Sequence, residues 1–317
     1  MVKMSYALLF PGQGAQFVGM GKDFHSASPA AKKVFQNADE TLGFSISEIC
    51  FDGPENSLTK TDLAQPAIYV CSMAALAALQ EIQGHFTILG AAGLSLGEYT
   101  ALAAAEAFSF EDGLRLVRLR GLAMQEASDQ CDSGMTSVMG LDRPTLENIC
   151  QQASQSSQGI CQIANLNCPG QIVVSGETHA LDIMETYAKE AGARRAIRLT
   201  VAGAFHSEVM RPAAEKLKDA LLQIHFSKPL CPVWQNVSAQ PATDGEAIRA
   251  GLVAQLTAPV LWQASFLDMV DSFPGATFLE PAPGKVLAGL ARKIDSEIKV
   301  VSIPTLDSLQ ALTPTPS

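Results

Sequence analysis

Apolar and polar positions along this chain fall into alternating short runs and longer helical stripes. Tyr6-Ala-Leu-Leu-Phe10 is a continuous apolar run stopped by Pro11-Gly12, which predicts a short buried strand. GQGAQFVGMG follows and is too glycine-rich for regular structure, so Gln13 sits on a loop at the strand's C-terminal end. Ser28-Pro29 combines an N-cap with proline at the first helical position, and Gly43 closes the helix that this predicts through Leu42. Gln65 to Gln83 repeats the pattern, with Pro66 early and Gly84 at the end. His85-Phe-Thr-Ile-Leu-Gly90 then reads as a strand, Gly93–Gly97 as a turn and Glu98–Glu106 as a helix. Ser109 and Asp112 open a further helix to about Glu126. Gly113, Leu116, Val117 and Met124 form its core-facing stripe, and Arg120 lies on that same stripe. Arg115 and Arg118 fall elsewhere and are expected at the surface, with Glu111 in i, i+4 reach of Arg115.

From Met135 the elements become small and alternate quickly. The pattern predicts strands at Met135–Met139, Ile160–Asn165, Gln171–Ser175 and Arg195–Thr200, with helices at Asp142–Gln155 and Thr178–Ala191. That order, βαββαβ, is the ferredoxin-like arrangement. The expected fold is therefore α/β: a larger α/β-hydrolase-like domain over residues 1–129 and 200–308, with a small ferredoxin-like subdomain inserted at 130–199. Val201–Met210 reads as a loop re-entering the main domain and carrying His206, followed by a helix through Pro212–Gln223. A strand at Leu230–Gln235, a helix near Ala247–Leu256 and the loop Glu280–Lys285 complete it, and residues 309–317, ending in TPTPS, are expected to be a disordered tail.

Composition narrows the classes of function. The chain has 317 residues, 47% of them hydrophobic, enough to bury a sizeable core. A formal charge of −10 makes a nucleic-acid partner unfavourable, because the phosphate contribution to such binding would be repulsive. Seven cysteines without a C-x-x-C pair and five scattered histidines give no metal-ligand spacing, so no metal is expected and the thiols read as reduced. No uninterrupted apolar stretch reaches the roughly 18 residues of a membrane span, and the N-terminal apolar run is too short for a signal peptide. A cytoplasmic monomer is expected, or a plastid stromal one if a transit peptide is missing from this sequence.

Gly93-Leu94-Ser95-Leu96-Gly97 has the glycine spacing of a nucleophile elbow. That spacing also arises by chance, but the predicted strand before it and helix after it are the setting an elbow requires. A serine hydroxyl needs a base, and His206 in the re-entry loop is the best placed of the five histidines. The Leu96 N–H at the start of the helix supplies one oxyanion donor, and the Gly12-Gln13-Gly14 turn a second, unless that turn is only a turn. Arg120, inward-facing on its stripe, calls for an anion: a substrate carboxylate, or an acid elsewhere in the chain in a permanent salt bridge.

With those residues in view, the chain closely resembles the malonyl-CoA:acyl carrier protein transacylases. The likeness is carried by FPGQGAQ (10–16), GLSLGEYTAL (93–102), LVRLRGLAMQEA (116–127), ANLNCPGQIVVSG (164–176), AGAFHSEVMRPAA (202–214), LVAQLTAPVLW around Gln255, and PAPGKVL (281–287). The resemblance implies a ping-pong transfer of malonyl from malonyl-CoA, through a Ser95 ester, to the phosphopantetheine thiol of acyl carrier protein, with no cofactor. It makes Ser95 the nucleophile, His206 the base, Gln13 and Leu96 the oxyanion donors, and Arg120 the ligand of the malonyl carboxylate. It adds Gln255, whose backbone carbonyl would orient His206, and Phe205, whose bulk would disfavour methylmalonyl. Two positions depart from the commoner family pattern: Leu94 stands where histidine is usual, and Ala282 where glycine is. A serine hydrolase or thioesterase, a polyketide acyltransferase and a non-catalytic carrier-docking module are the competing expectations. Arg194, Arg195 and Arg198, or Lys285, Arg292 and Lys293, are candidate patches for an acidic carrier.

Overall fold

The structure, a computed structural model, describes residues 4–242 and 244–312. Among the described residues, nine strands form two separate sheets. The first is wholly parallel and consists of β1 (Ser5–Phe10), β2 (Thr87–Gly93), β7 (Val233–Trp234), β8 (Thr277–Glu280) and β9 (Val300–Ser302), in the order β7-β2-β1-β8-β9. The second is antiparallel and is built from β3 (Ser133–Met139), β4 (Cys161–Cys168), β5 (Gln171–Glu177) and β6 (Arg195–Arg198), in the order β4-β5-β3-β6.

β1 shows why the parallel sheet is central. Its alternate residues face opposite ways, Tyr6, Leu8 and Phe10 into one core cluster and Ala7 and Leu9 into another. Both faces are therefore covered by helices. The antiparallel sheet behaves similarly: Val138, Ile163, Ile172 and Val174 pack with helices Arg143–Ser157 and Thr178–Glu190, while Met135, Ala164 and Val173 join the main core. Backbone hydrogen bonds between the Val260 N–H and the Ala164 carbonyl, 2.8 Å, and the Leu166 N–H and the Val260 carbonyl, 2.9 Å, tie β4 to the rest of the chain.

Several local expectations need correcting. The strand expected at 230–235 shrinks to two residues, and β2 runs three residues past Gly90 to the turn. The helix expected from Gln65 begins at Thr61 and runs to Gln83, with Pro66 inside it. Proline cannot donate to the carbonyl four residues back, and that carbonyl, of Asp62, accepts instead from the Arg118 guanidinium. Arg118, also paired with the Asp62 carboxylate at 2.8 Å, is thus half-buried rather than an ordinary surface residue. Arg115 pairs with Asp112 at 3.2 Å, not with Glu111, whose carboxylate is held by Asn37. Thr61–Gln83 is also long and apolar enough to cross a bilayer, yet most of it is buried as a core helix. A helix at Leu306–Leu312 buries Leu309, so the expected disordered tail does not begin at 309; residues 313–317 lie outside the described residues.

Candidate active site

β2 delivers the chain to a tight turn and helix Gly97–Ala104 carries it away, placing Ser95 at the C-terminal edge of the parallel sheet. Ser95 has φ 52°, a left-handed conformation that costs a non-glycine residue about 1–3 kcal/mol. The flanking glycines make that turn sterically possible. A Cβ on Gly93 would lie 1.9 Å from the Gly97 carbonyl, and one on Gly97 would lie 2.0 Å from the Phe10 carbonyl oxygen. They are there for space, since neither has a positive φ.

The turn is held from below by a residue that the sequence did not reveal. Asn236 Oδ1 accepts the Ser95 N–H at 2.6 Å, and Asn236 Nδ2 donates to the Gly93 carbonyl at 2.7 Å. Ser95 Oγ lies 2.8 Å from His206 Nε2, and His206 Nδ1 lies 2.7 Å from the Gln255 carbonyl oxygen. A carbonyl can only accept, so Nδ1 carries the proton and Nε2 is left free to accept from the serine hydroxyl. His206 too has a positive φ, 58°, and is buried. Burial and the nearby Arg120 charge push its pKa down to about 4, so the imidazole is neutral at physiological pH, with Nε2 unprotonated.

Arg120 is 1% exposed and faces the same point. It is not in the permanent salt bridge that was one of the two expectations: among the described residues no carboxylate lies within 4 Å of it, and three neutral acceptors hold it. Nη1 donates to Gln65 Oε1 at 2.6 Å, while Nη2 donates to Ser95 Oγ at 3.0 Å and Gln255 Oε1 at 2.9 Å. Its Nε has no partner among the described residues. The guanidinium carbon also sits 5.5 Å from the Tyr99 ring centroid.

These groups open onto a cavity of about 450 Å³ lined by Gln13, Leu96, Asn165, Asn167, Val201 and Phe205, among others. The N–H groups of Gln13 and Leu96 find no acceptor among the described residues. Gly12 brings the first of them close, its missing Cβ leaving room for the Leu94 carbonyl oxygen 2.6 Å from where that atom would be. Phe205 is buried in the cavity wall, and Leu94 is half-buried there. All seven predicted site residues therefore converge. Asn236, Glu98 and Gln65 are the members missed; only Glu98, an acid in the first turn after the elbow, carried a sequence signal, and it read as routine helix chemistry. Among the described residues no cluster of three metal-ligating side chains exists, and all seven cysteines are free thiols.

Residues 7–307 match the family model described as acyl transferase domain. The chain is 42% identical over 306 residues to the malonyl CoA-acyl carrier protein transacylase of Bacillus subtilis, covering 96% of this chain and 95% of that one. Its fold is similar to the crystal structure of an acyl-carrier-protein-S-malonyltransferase from Bartonella henselae, with TM-score 0.91, 40% identity and 97% and 98% of the two chains covered. A second similar structure is a malonyl-transacylase in complex with a type II polyketide synthase acyl carrier protein, with TM-score 0.91, 36% identity and 97% and 98% covered.

Proposed function

Since this chain belongs to the acyl transferase family and, within it, to the malonyl CoA-acyl carrier protein transacylases, we propose that Ser95 carries the malonyl group during its transfer from malonyl-CoA to acyl carrier protein in fatty-acid synthesis. The contact of Ser95 Oγ with both His206 Nε2 and the Arg120 guanidinium carries this reading, because it joins a nucleophile, a base and a carboxylate ligand at one atom.

In the first half-reaction the Ser95 hydroxyl proton passes to His206 Nε2 as Oγ attacks the thioester carbonyl. The oxyanion is held by the Gln13 and Leu96 N–H groups, each such donor being worth about 10²- to 10³-fold in rate. Collapse expels the coenzyme A thiolate, which takes the proton from His206. Gln255 replaces a triad carboxylate by offering its carbonyl to Nδ1–H. In the second half the phosphopantetheine thiol gives its proton to His206 and attacks the ester, and collapse returns the proton to Ser95 Oγ. Arg120 exchanges its neutral acceptors for the malonyl carboxylate, and Phe205 limits bulk at the malonyl α-carbon. No cofactor enters any of these steps.

The same reading divides the chain into an α/β-hydrolase-like part, 1–129 and 200–308, and a ferredoxin-like insertion, 130–199. The β4-β5-β3-β6 order and the separate apolar cluster beneath it support the second assignment. Six of the seven thiols are buried, which fits a reducing, cytoplasmic setting for a monomer.

Intact-mass measurement after incubation with malonyl-CoA, acetyl-CoA and methylmalonyl-CoA tests the proposal. The wild type should gain a malonyl adduct and Ser95→Ala none; an adduct on Ser95→Ala would refute it. Acyl-enzyme should pass to added carrier protein much faster than to water, and rapid hydrolysis would favour a thioesterase.

A further inference from the structure

Glu98 is the buried acid for which these steps have no use. Among the described residues only Glu98 and Glu280 are buried acids. Glu280 is committed elsewhere, accepting the N–H groups of Leu287 and Ala288 and the Ser302 hydroxyl. Glu98 is fully buried one turn below the nucleophile. Its Oε2 accepts from the Asn236 N–H at 3.1 Å and from Gln255 Nε2–H at 2.7 Å, and its Oε1 has no partner among the described residues. Both neighbours reach the reacting pair: Asn236 through the Ser95 N–H, and Gln255 through the His206 Nδ1–H. Gln255 Nε2 also donates to the Ser95 carbonyl at 3.0 Å.

We propose that Glu98 is a positioning residue which, as a carboxylate, fixes Asn236 and Gln255 and through them Ser95 and His206, and supplies the buried negative charge that the Ser–His pair otherwise lacks. The site holds one buried cation, Arg120, and creates a second when His206 takes the serine proton. The malonyl carboxylate answers the first, but the protonated His206 has beside it only the dipole of the Gln255 carbonyl, and a buried positive charge without an anion is costly. Arg120 on helix Phe110–Asp129 and the adjacent Tyr99 are the titratable groups that act on Glu98, His206 being reached through Gln255, and the β7 side contributes the neutral Asn236. Burial lifts the Glu98 pKa to about 7 against the opposing effects of Asn236, Gln255 and Arg120, so the carboxylate is formed within the working pH range.

This inference rests on Ser95 and His206 being nucleophile and base. It is tested with the full chain and a small phosphonofluoridate, which labels an activated serine whatever acyl group the site prefers, the rate being read by intact mass from pH 5 to 9. Wild-type labelling at Ser95 checks the nucleophile; its absence removes both readings. The wild-type rate should rise about tenfold between pH 6 and 8 as Glu98 ionises. Glu98→Gln should be at least about tenfold slower at pH 8 and should lose that rise, with kcat for malonyl transfer falling and KM for malonyl-CoA within about twofold. A Glu98→Gln rate and profile matching the wild type would overturn the proposal. If the variant does not fold, a wild-type profile that is flat through pH 7 would overturn it equally.

Discussion

Replacing Arg120 with alanine separates the two jobs that the proposed mechanism gives this guanidinium. One is holding Ser95 Oγ and Gln255, through the 3.0 and 2.9 Å bonds from Nη2. The other is pairing with the carboxylate of the incoming acyl group. Charge-assisted hydrogen bonds are worth about 1.5–3 kcal/mol each, so losing two to malonyl should cost on the order of 4 kcal/mol, or about 10³-fold in kcat/KM. An acetyl donor has no carboxylate and loses only the support of Ser95, on the order of 1 kcal/mol and tenfold or less. The malonyl-to-acetyl ratio should therefore fall about 100-fold. Arg120→Lys should recover little, since an ammonium cannot span Gln65 on one side and Ser95 with Gln255 on the other. The assay is acyl-enzyme formation from the two donors, followed by intact mass under single-turnover conditions. Equal losses for malonyl and acetyl would refute the carboxylate role and leave Arg120 as a support of the nucleophile.

Three further outcomes follow from other parts of the structure. His206 takes a proton at about pH 6.5 when unfolded but only near 4 when folded, so its contribution to stability is complete above pH 6.5 and disappears as pH falls through 4. That contribution is on the order of 3 kcal/mol, and urea unfolding at pH 7.5 and 4.5 should show the wild type losing about that much relative to His206→Asn; parallel losses would refute it. The comparison with the variant matters because Glu98, with its raised pKa, works in the opposite sense between pH 7 and 4.5. Gly97→Ala would drive a Cβ to 2.0 Å from the Phe10 carbonyl oxygen and should cost at least about 3 kcal/mol. Gly134→Ala, whose Cβ would meet only Leu181 Cδ1 at 4.0 Å, should fall within about 0.5 kcal/mol of the wild type; similar melting temperatures for the two would show the elbow is less crowded than described. Glutamate at Lys285 and Arg292 should raise KM for carrier protein and leave malonyl loading from malonyl-CoA intact. Lys285 is exposed, and its neighbour Gly284 packs against Ala15 beside the Gln13 loop, whereas Arg198 in the other patch is already paired with Asp182 and Glu185. An unchanged KM would dismiss the patch.

What could be read from sequence was whatever depends on neighbours in the chain. Ser28 caps its helix through the Ala31 N–H, Gly43 closes that helix at φ 73°, and the βαββαβ run appears in the predicted order, because each rests on a local capping or alternation rule. Arg120 stood out because a charge on an apolar stripe violates a local pattern. Asn236 did not, since a polar residue two positions after a two-residue strand violates nothing until Ser95, 141 positions earlier, is folded onto it. Gln65 was hidden for a similar reason: its partner Arg120 lies 55 positions on, and glutamine near the start of a helix violates no local pattern. Arg118 was misread because the cause of its burial, the carbonyl freed by Pro66, belongs to a different helix.

The neutral partners of Arg120 bear on why the site would take a charged acyl group in preference to water. A carboxylate of the chain in that place would form a buried ion pair whose separation leaves an uncompensated charge, at about 3–5 kcal/mol. An incoming malonyl group would have to meet that cost before binding. The carbonyl oxygens of Gln65 and Gln255 and the Ser95 hydroxyl keep the guanidinium aimed at the reacting atom, yet each makes a weaker bond than a carboxylate does. Under the proposed mechanism, exchange of neutral for charged acceptors therefore favours the malonyl donor. Neither water nor an acetyl group brings a charge to the exchange, so under the proposed mechanism Arg120 keeps its resting partners for both.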